Sequence, residues 1–499
     1  MKRDAFIPPI MLDRRQKRPL YRQLYDWFRT AVTEGKIRPG QRLPSTRNMA
    51  AELRISRISV CNAYEQLQSE GYLETLRGSG TRVARTIPEQ ALAPTPGHRR
   101  PPAQILAKLG SRRRGASKRA LALRPPLPEP WWQLRGAFRI NNPAFDEFPV
   151  SIWSRIIARH TRTLSRGLME YGDLMGYMPL RSAIAHYLTT FRGVRCEPSQ
   201  VLITTGSQQA LQISAETLMD VGDRILMEEP GYPGARVAFM SSGAEILPVP
   251  VDDEGLIVSN IAGQSLRAKA IYVTPSHQYP LGSTMSAARR MALLKWARST
   301  DAWIIEDDYD SEYRFDGRPI ASLQGLDMDG RVIYVGTFSK VLFPALRVGY
   351  MVLPKDLAPI FAAVRDAADI FTSTLYQAVL TDFIRQGHFA RYIRRMRLVY
   401  MERRKALVNA INREIGKLLE VVGSEAGVHL VGLLPRGIKD RLVSDEAARN
   451  GVSIMPLSTC YLKPPSRGGL ILGYGAVNTR QIYDGVRKLS ACLNRCGVQ

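Results

Sequence analysis

The sequence predicts two folded parts: an α+β head of three helices and a β-hairpin, and a large α/β domain on a mainly parallel sheet. Three observations carry this. Apolar residues recur at helical spacing between positions 20 and 67, then alternate around a glycine-rich tip at 77–80. From position 201 onward, short apolar runs alternate with helical stretches. Between the two lies 86–130, rich in proline and arginine.

The 499 residues correspond to roughly two to four domains at ~100–200 residues each. Hydrophobic residues make up 45% and charged residues 23%, a globular balance that excludes wholesale disorder. Five cysteines without metal-ligand spacing exclude a disulfide scaffold and suit a reducing compartment. Residues 1–20 are basic, broken by Pro8, Pro9 and Pro19, and carry no apolar run, so no secretory signal is expected. Nor does any stretch reach 18 apolar residues, and a cytoplasmic protein without a membrane partner is expected. Net charge is +25, and residues 1–130 hold 26 Lys and Arg against 10 Asp and Glu, a net of +16. Such a basic part on a more balanced one is the footprint of a nucleic-acid module; a solubilising tail is the alternative.

In the head, Leu20, Leu24, Trp27, Phe28, Ala31 and Val32 form one face of a helix ending near Gly35. Ser45 caps a short second helix running to Leu53. Ser56 caps a third, with Val60, Ala63, Tyr64 and Leu67 inward and Arg57, Ser59 and Asn62 outward; Gly71 ends it. Residues 72–76 and 81–83 alternate as two strands. This order reads as a winged helix-turn-helix, whose third helix enters the major groove while the wing tip reaches phosphates or the minor groove.

The segment "LPSTRNMAAELRISRISVCNAYEQLQSEGYLETLRGSGTRVA" resembles the DNA-binding domain of the GntR superfamily. That resemblance implies double-stranded operator DNA as a partner, with Ser45, Arg47, Ser56, Arg57, Ser59, Arg77 and Gly78 as contacts. The boundaries expected are a DNA-binding domain over 1–85, a basic proline-rich linker over 86–130, and an effector-binding and dimerisation domain over 131–499. The linker's basic run, including Arg112, Arg113 and Arg114, reads as a solvated tether, with contact to DNA phosphates as the alternative.

In the large domain the apolar runs are 201–203, 225–227, 246–249, 270–273, 303–305, 332–335 and 348–352, with helices including 210–219 and 287–298. Ligands of such sheets sit beyond the carboxyl ends of strands, and three segments lie there. Thr204-Thr205-Gly206-Ser207-Gln208-Gln209 joins a strand to a helix, where backbone amides favour a phosphate. Glu306-Asp307-Asp308-Tyr309-Asp310 could hold Mg²⁺ or pair with a cationic ring nitrogen. Gly336-Thr337-Phe338-Ser339-Lys340 offers a lysine that can form a Schiff base when neutral. A phosphate cradle, a carboxylate and such a lysine together are what pyridoxal 5′-phosphate (PLP) requires.

The segments "YGDLMGYMPLRSAIAHYL", "TTGSQQAL", "EEPGYPGAR", "TPSHQYPLG", "IIEDDYDSEYRFD" and "GTFSKVLFPALRVGY" resemble, in order and spacing, a PLP-dependent fold-type I aminotransferase with a large and a small subdomain. Fused to a GntR-type head, the arrangement is that of the MocR/GabR regulators. The resemblance implies that Lys340 carries the cofactor, Asp307 pairs with its ring nitrogen and Tyr309 hydrogen-bonds its phenolate oxygen. It implies that Tyr232 stacks on the ring, that Ser207, Gln208, Thr337, Ser339 and Arg347 hold the phosphate, and that His277 lies nearby or serves structure only. No metal is expected. A homodimer is implied, as is RNA polymerase at the regulated promoter.

One departure matters. Aminotransferases clamp the substrate carboxylate with an arginine near the C-terminus; here the stretch reads "GGLILGYGAVN", with Ile471 or Leu472 at that place. Arg236 or Arg467 are the candidates to replace it from elsewhere. The expectation is a PLP-binding transcriptional regulator without transaminase turnover and with no catalytic residue of its own. Its effector would be PLP or a PLP adduct and its target a metabolic operon such as vitamin B6 synthesis, as in the PdxR-like subgroup. The alternatives are an active aminotransferase with an accessory DNA-binding head, and a nucleic-acid scaffold on which the fold is dead.

Overall fold

A computed structural model of the chain describes residues 7–76, 80–86, 117–123, 135–262, 267–315, 321–423 and 426–497. The chain divides into two compact units, 1–115 and 116–499.

The first unit contains helices α1 (Leu20–Thr33), α2 (Thr46–Leu53) and α3 (Arg57–Ser69), followed by strands β1 (Leu73–Leu76) and β2 (Gly80–Val83). The strands pair antiparallel, from Leu73 opposite Val83 to Leu76 opposite Gly80. Leu24, Phe28, Ala31 and Val32 of α1 meet Val60, Ala63, Tyr64 and Leu67 of α3 in one core. Phe28 and Tyr64 meet edge to face at 5.5 Å. Each such large side chain, fully buried, contributes about 1.5–3 kcal/mol. Both serine caps are present: Ser45 accepts from the Asn48 amide at 3.2 Å and Ser56 from the Ser59 amide at 3.1 Å. They satisfy amides that the first helical turn leaves without a partner.

Most of the expected linker, together with the wing tip, falls outside the described residues. Within 117–123, Lys118–Ala122 forms a short helix, α4, whose first amides are met by Ser117, accepting from Ala120 at 3.1 Å.

In the second unit α5 (Val150–Arg162) and α6 (Met178–Arg192) lead to β3 (Val201–Thr204) and α7 (Ser207–Leu218). Next come β4 (Arg224–Glu229), α8 (Pro233–Ser242), β5 (Glu245–Asp252), β6 (Gly255–Leu256), β7 (Ala270–Val273) and α9 (Ala287–Thr300). β8 (Trp303–Asp308), β9 (Val332–Thr337) and β10 (Gly349–Val352) complete the large sheet, ordered β3-β10-β9-β8-β7-β4-β5-β6. β4, β5, β7, β8 and β9 run parallel, while β10 is antiparallel to both neighbours. β4, β7, β8 and β9 are buried on both faces, which is why they read as unbroken apolar runs, whereas β5 near the sheet edge is largely exposed.

Several strands extend beyond those runs. β8 continues through Glu306, Asp307 and Asp308, and β9 through Gly336 and Thr337, all buried. Polar residues belong to these strands because each carboxylate finds a partner inside the fold.

After the large sheet, α10 (Thr374–Arg385) and the long α11 (His388–Glu414) precede a second sheet. It is ordered β11-β12-β14-β13, from Glu420–Val422, His429–Leu433, Gly469–Gly473 and Met455–Pro456. α12 (Asp440–Arg449) and α13 (Thr479–Arg495) flank it. The fold is therefore that of a fold-type I aminotransferase, with a large sheet and a smaller one. The arginines of α11 serve this fold: Arg403 pairs with Asp146 at 2.7 Å, Arg397 donates to the Glu312 carbonyl at 2.6 Å, and Arg395 pairs with Glu147. Among the described residues no helix is long and apolar enough to cross a membrane.

Candidate functional site

At the carboxyl ends of β7, β8 and β9 a cleft of about 310 Å³ opens. Five of the residues singled out in the sequence line it: Ser207, Tyr232, Asp307, Tyr309 and Lys340. Three more join them that sequence reasoning missed: Asn141, Tyr272 and Tyr279.

Asp307, at the end of β8, is 3% exposed. Its Oδ2 accepts from the Tyr272 hydroxyl at 2.8 Å, while its Oδ1 is buried with no partner. Burial pushes its carboxyl up to about 7, against the pull of Tyr272. Lys340 is half-buried, and its Nζ donates to Asn141 Oδ1. Loss of solvent pulls its ammonium down to about 8, although Asp310 and Asp307 act the other way. A lysine with a lowered pKa holds more of the neutral amine that can attack a carbonyl.

Ser207 opens α7, directly after Gly206, whose φ is +108°. A Cβ at Gly206 would lie 3.3 Å from an Arg347 guanidinium nitrogen, so glycine leaves a shallow cradle between the helix N-terminus and that cation. Arg347 is exposed and sits in a left-handed turn, φ +52°, just before β10. Thr337 Oγ1 accepts from the Ser339 amide at 3.2 Å, and Ser339 Oγ is buried without a partner. Gln208 is turned toward α8, donating to the Gly234 carbonyl at 2.9 Å.

His277 stands behind Tyr309 rather than in the cleft wall. Its Nδ1 lies 3.0 Å from the Tyr309 oxygen and 3.0 and 3.1 Å from the two oxygens of Asp310. The acidic run 306–310 is thus divided among separate partners. Glu306 accepts from the amides of Leu323 and Gln324, Asp308 pairs with Arg192 at 2.7 Å, and Asp310 meets His277. Along β8, Asp307 faces opposite to Glu306 and Asp308, so the run does not present one continuous row of carboxylates.

Ile471, on β14, is fully buried in an apolar cluster with Ile140, Tyr279, Tyr309, Val431 and Met455. The arginines considered as replacements are committed elsewhere. Arg236 donates to the carbonyls of Cys460 and Tyr461, at 2.8 and 3.2 Å. Arg467 donates to the Leu434 carbonyl and pairs with Glu420 at 2.6 Å.

In the head, Ser45, Arg47, Ser56 and Arg57 are exposed and Ser59 is half-buried. Both Ser45 and Ser56 spend an oxygen on capping, and Ser56 Oγ also lies 2.8 Å from Ser59 Oγ. Arg57 reaches Thr46 Oγ1 only weakly, at 3.5 Å, so its guanidinium is free to reorient. Arg77 and Gly78 lie outside the described residues. Ile58, 72% exposed at the start of α3, escapes sequence reasoning because an apolar residue there reads as core. An apolar side chain on a groove-entering helix can meet a thymine methyl.

Residues 20–83 match the model of bacterial regulatory proteins of the gntR family, and residues 137–471 match that of aminotransferase class I and II. The chain is 41% identical over 487 residues to the probable rhizopine catabolism regulatory protein MocR of Rhizobium meliloti, covering 97% of this chain and 96% of that one. It is 32% identical to the pyridoxine biosynthesis transcriptional regulator PdxR of Corynebacterium glutamicum, over 94% of both. Among solved structures, the α-aminoadipate aminotransferase LysN of Thermus thermophilus, complexed with N-(5′-phosphopyridoxyl)-L-leucine, superposes with a TM-score of 0.71. The two are 29% identical over 76% of this chain and 97% of that one.

Proposed function

This chain belongs to the MocR-type regulators, gntR-family heads joined to an aminotransferase class I and II domain, and on that premise we propose that PLP held at Lys340 controls how the head occupies operator DNA. The head makes the protein a DNA-binding transcriptional regulator; the effector and the way it is gripped are what we infer.

One observation carries it: a buried carboxylate oxygen without a partner, Asp307 Oδ1, lines the same cleft as the half-buried amine of Lys340. Asp307 Oδ1 would suit a pyridinium N–H and the Lys340 amine would suit an aldehyde. A phosphate suits the cradle at Gly206 and Ser207 under Arg347, with Ser339 Oγ as a further unpaired group. The donor set therefore fits PLP. When bound, PLP supplies an aldehyde for amines and a ring that withdraws electrons. The chain's residues orient it: Asp307 keeps the ring nitrogen protonated, Tyr232 covers a ring face, Tyr309 addresses the phenolate oxygen, and Thr337 fixes the Ser339 turn.

The apolar surroundings of Ile471 support a sensor rather than a transaminase. Ile471 stands where an aminotransferase places its carboxylate-clamping arginine, and a carboxylate facing that apolar cluster would be desolvated without the pairing an arginine supplies. PLP itself, or its adduct with an amine lacking a carboxylate, is then the signal. It acts by favouring one arrangement of the protein over another, which requires different affinities for the two. We assign residues 1–85 to DNA, 86–130 to the tether and 131–499 to effector binding and dimerisation. The protein acts in the cytoplasm as a homodimer reading repeated half-sites near RNA polymerase.

The test is operator binding and footprinting with and without PLP, alongside turnover assays with amino-acid and keto-acid pairs. A PLP-dependent change in affinity, footprint or bend with negligible turnover is expected. Identical footprints in both conditions, or robust turnover, overturn the reading.

A further inference from the structure

Tyr309, His277 and Asp310 form a buried chain of contacts that the roles assigned above do not use. His277 is 3% exposed and Asp310 is 1% exposed. One nitrogen, His277 Nδ1, faces three oxygens: both of Asp310 and that of Tyr309, all at 3.0–3.1 Å. A carboxylate only accepts, so Asp310 selects the tautomer with hydrogen on Nδ1. That N–H is then shared with the Tyr309 oxygen, which acts as an acceptor toward the histidine. The Tyr309 hydroxyl proton is consequently not spent on His277 and remains available to the cleft.

The packing is built around this pair. Gly427, φ +77°, lies so close that a Cβ there would stand 2.3 Å from His277 Cε1 and 2.6 Å from Asp310 Oδ2. On its other side His277 borders a second cavity of about 280 Å³, which Arg192 and Arg314 also line. His429, 5.5 Å away ring to ring, donates to the Pro280 carbonyl, and burial drives it down to about 3, so it stays neutral.

We propose that His277, braced by Asp310, is a positioning residue that presents its Nδ1–H to the Tyr309 oxygen and thereby aims the Tyr309 hydroxyl proton at the bound ligand. The proposal rests on the PLP reading above. Its consequence is electronic: a phenolate oxygen that accepts from Tyr309 holds the neighbouring proton on the Lys340 nitrogen less tightly. His277 therefore keeps the proton affinity of the loaded Lys340 nitrogen low.

The experiment is a pH titration of the visible absorbance of PLP-loaded full-length protein. Y309F should raise the midpoint by roughly one to two pH units, the scale of a hydrogen bond to a charged group. H277A should raise it in the same direction, and the H277A/Y309F double variant should titrate like Y309F alone. H277N, which retains a side-chain N–H, should recover part of the shift. H277F, which keeps a ring but has no N–H, supplies the same test should H277A not fold, with a rise in the same direction expected. A midpoint unchanged in H277A or H277F while Y309F shifts overturns the proposal, as does additivity in the double variant. Wild-type protein that develops no visible band overturns the PLP reading itself and the proposal with it.

Discussion

Tyr272 donates its hydroxyl to Asp307 Oδ2 at 2.8 Å from the neighbouring strand, and leaves Oδ1 as the only unpaired oxygen of that buried carboxylate. The pair fixes which oxygen faces the cleft. It also means that the empty protein carries an unfavourable group, since burial holds the Asp307 carboxyl near 7.

Asp307→Asn therefore has two opposite effects. PLP affinity should fall about 10- to 100-fold, corresponding to loss of ~1.5–3 kcal/mol from a charged hydrogen bond. The empty protein should gain stability relative to wild type as pH rises. Asp307 has a raised folded-state pKa, so its ionisation costs stability progressively from about its unfolded value of 3.8 up to about 7, and asparagine escapes that cost. Spectroscopic titration with PLP and thermal melts at pH 5 and pH 8 measure both; an unaltered Kd would remove Asp307 from the ring nitrogen.

Capture of PLP by the empty protein should accelerate as pH rises and level off above about 8, because only the neutral Lys340 amine attacks and its pKa is drawn down to about 8. Stopped-flow growth of the visible band gives the profile. Lys340→Ala should show no band and no PLP effect on operator binding while still binding operator. A rate that keeps climbing toward pH 10 would show an amine without this depression.

Installing the arginine that an amino-acid clamp needs should not create one. Ile471→Arg places a charge in a cluster where Ile471 is fully buried, beside Tyr279, Val431 and Met455. A loss of several kcal/mol in unfolding free energy is expected, read from denaturant curves. A variant as stable as wild type that gained amino-acid binding would reverse the account of this wall.

Arg57→Ala should weaken operator binding by ~1–3 kcal/mol if the guanidinium reads a base edge, with little effect on the fold because the side chain is exposed. Wild-type affinity should drop steeply with salt, about 0.9 log units per neutralised phosphate for each tenfold rise. Fluorescence anisotropy at several salt concentrations separates the two roles: a base contact lowers affinity at every salt, whereas a phosphate contact also flattens the slope.

Much of this architecture is legible in the linear order of residues. Most strand positions from 201 to 352 follow from apolar runs, because strands covered on both faces, as those other than β5 are, leave no alternation to misread. Both caps of the head follow from a serine placed before a helical repeat. In the cleft, Ser207, Asp307 and Lys340 are found because the α/β sheet directs ligands to its strand ends. What escapes the sequence depends on neighbours distant along the chain. Tyr272 comes to Asp307 across 35 positions through the pairing of β7 with β8, and Asn141 comes to Lys340 across 199. In sequence Asp310 is one more acid of a cluster, and only the folded chain shows it facing His277. The polar ends of β8 and β9 read as loop, since no apolar pattern marks a buried carboxylate that is paired.

The antiparallel turn-back of β10 onto β9 gathers the amine and the anion-facing groups on one short excursion of chain. Thr337, Ser339, Lys340 and Arg347 all fall between or at the ends of two strands that zip together from Thr337 opposite Gly349. On the proposed reading, the groups for covalent capture and for the anion are thus parts of one cartridge, closed at a small loop-entropy cost. Lengthening that excursion by a residue or two would displace both at once, so insertions there should silence the sensor outright rather than detune it.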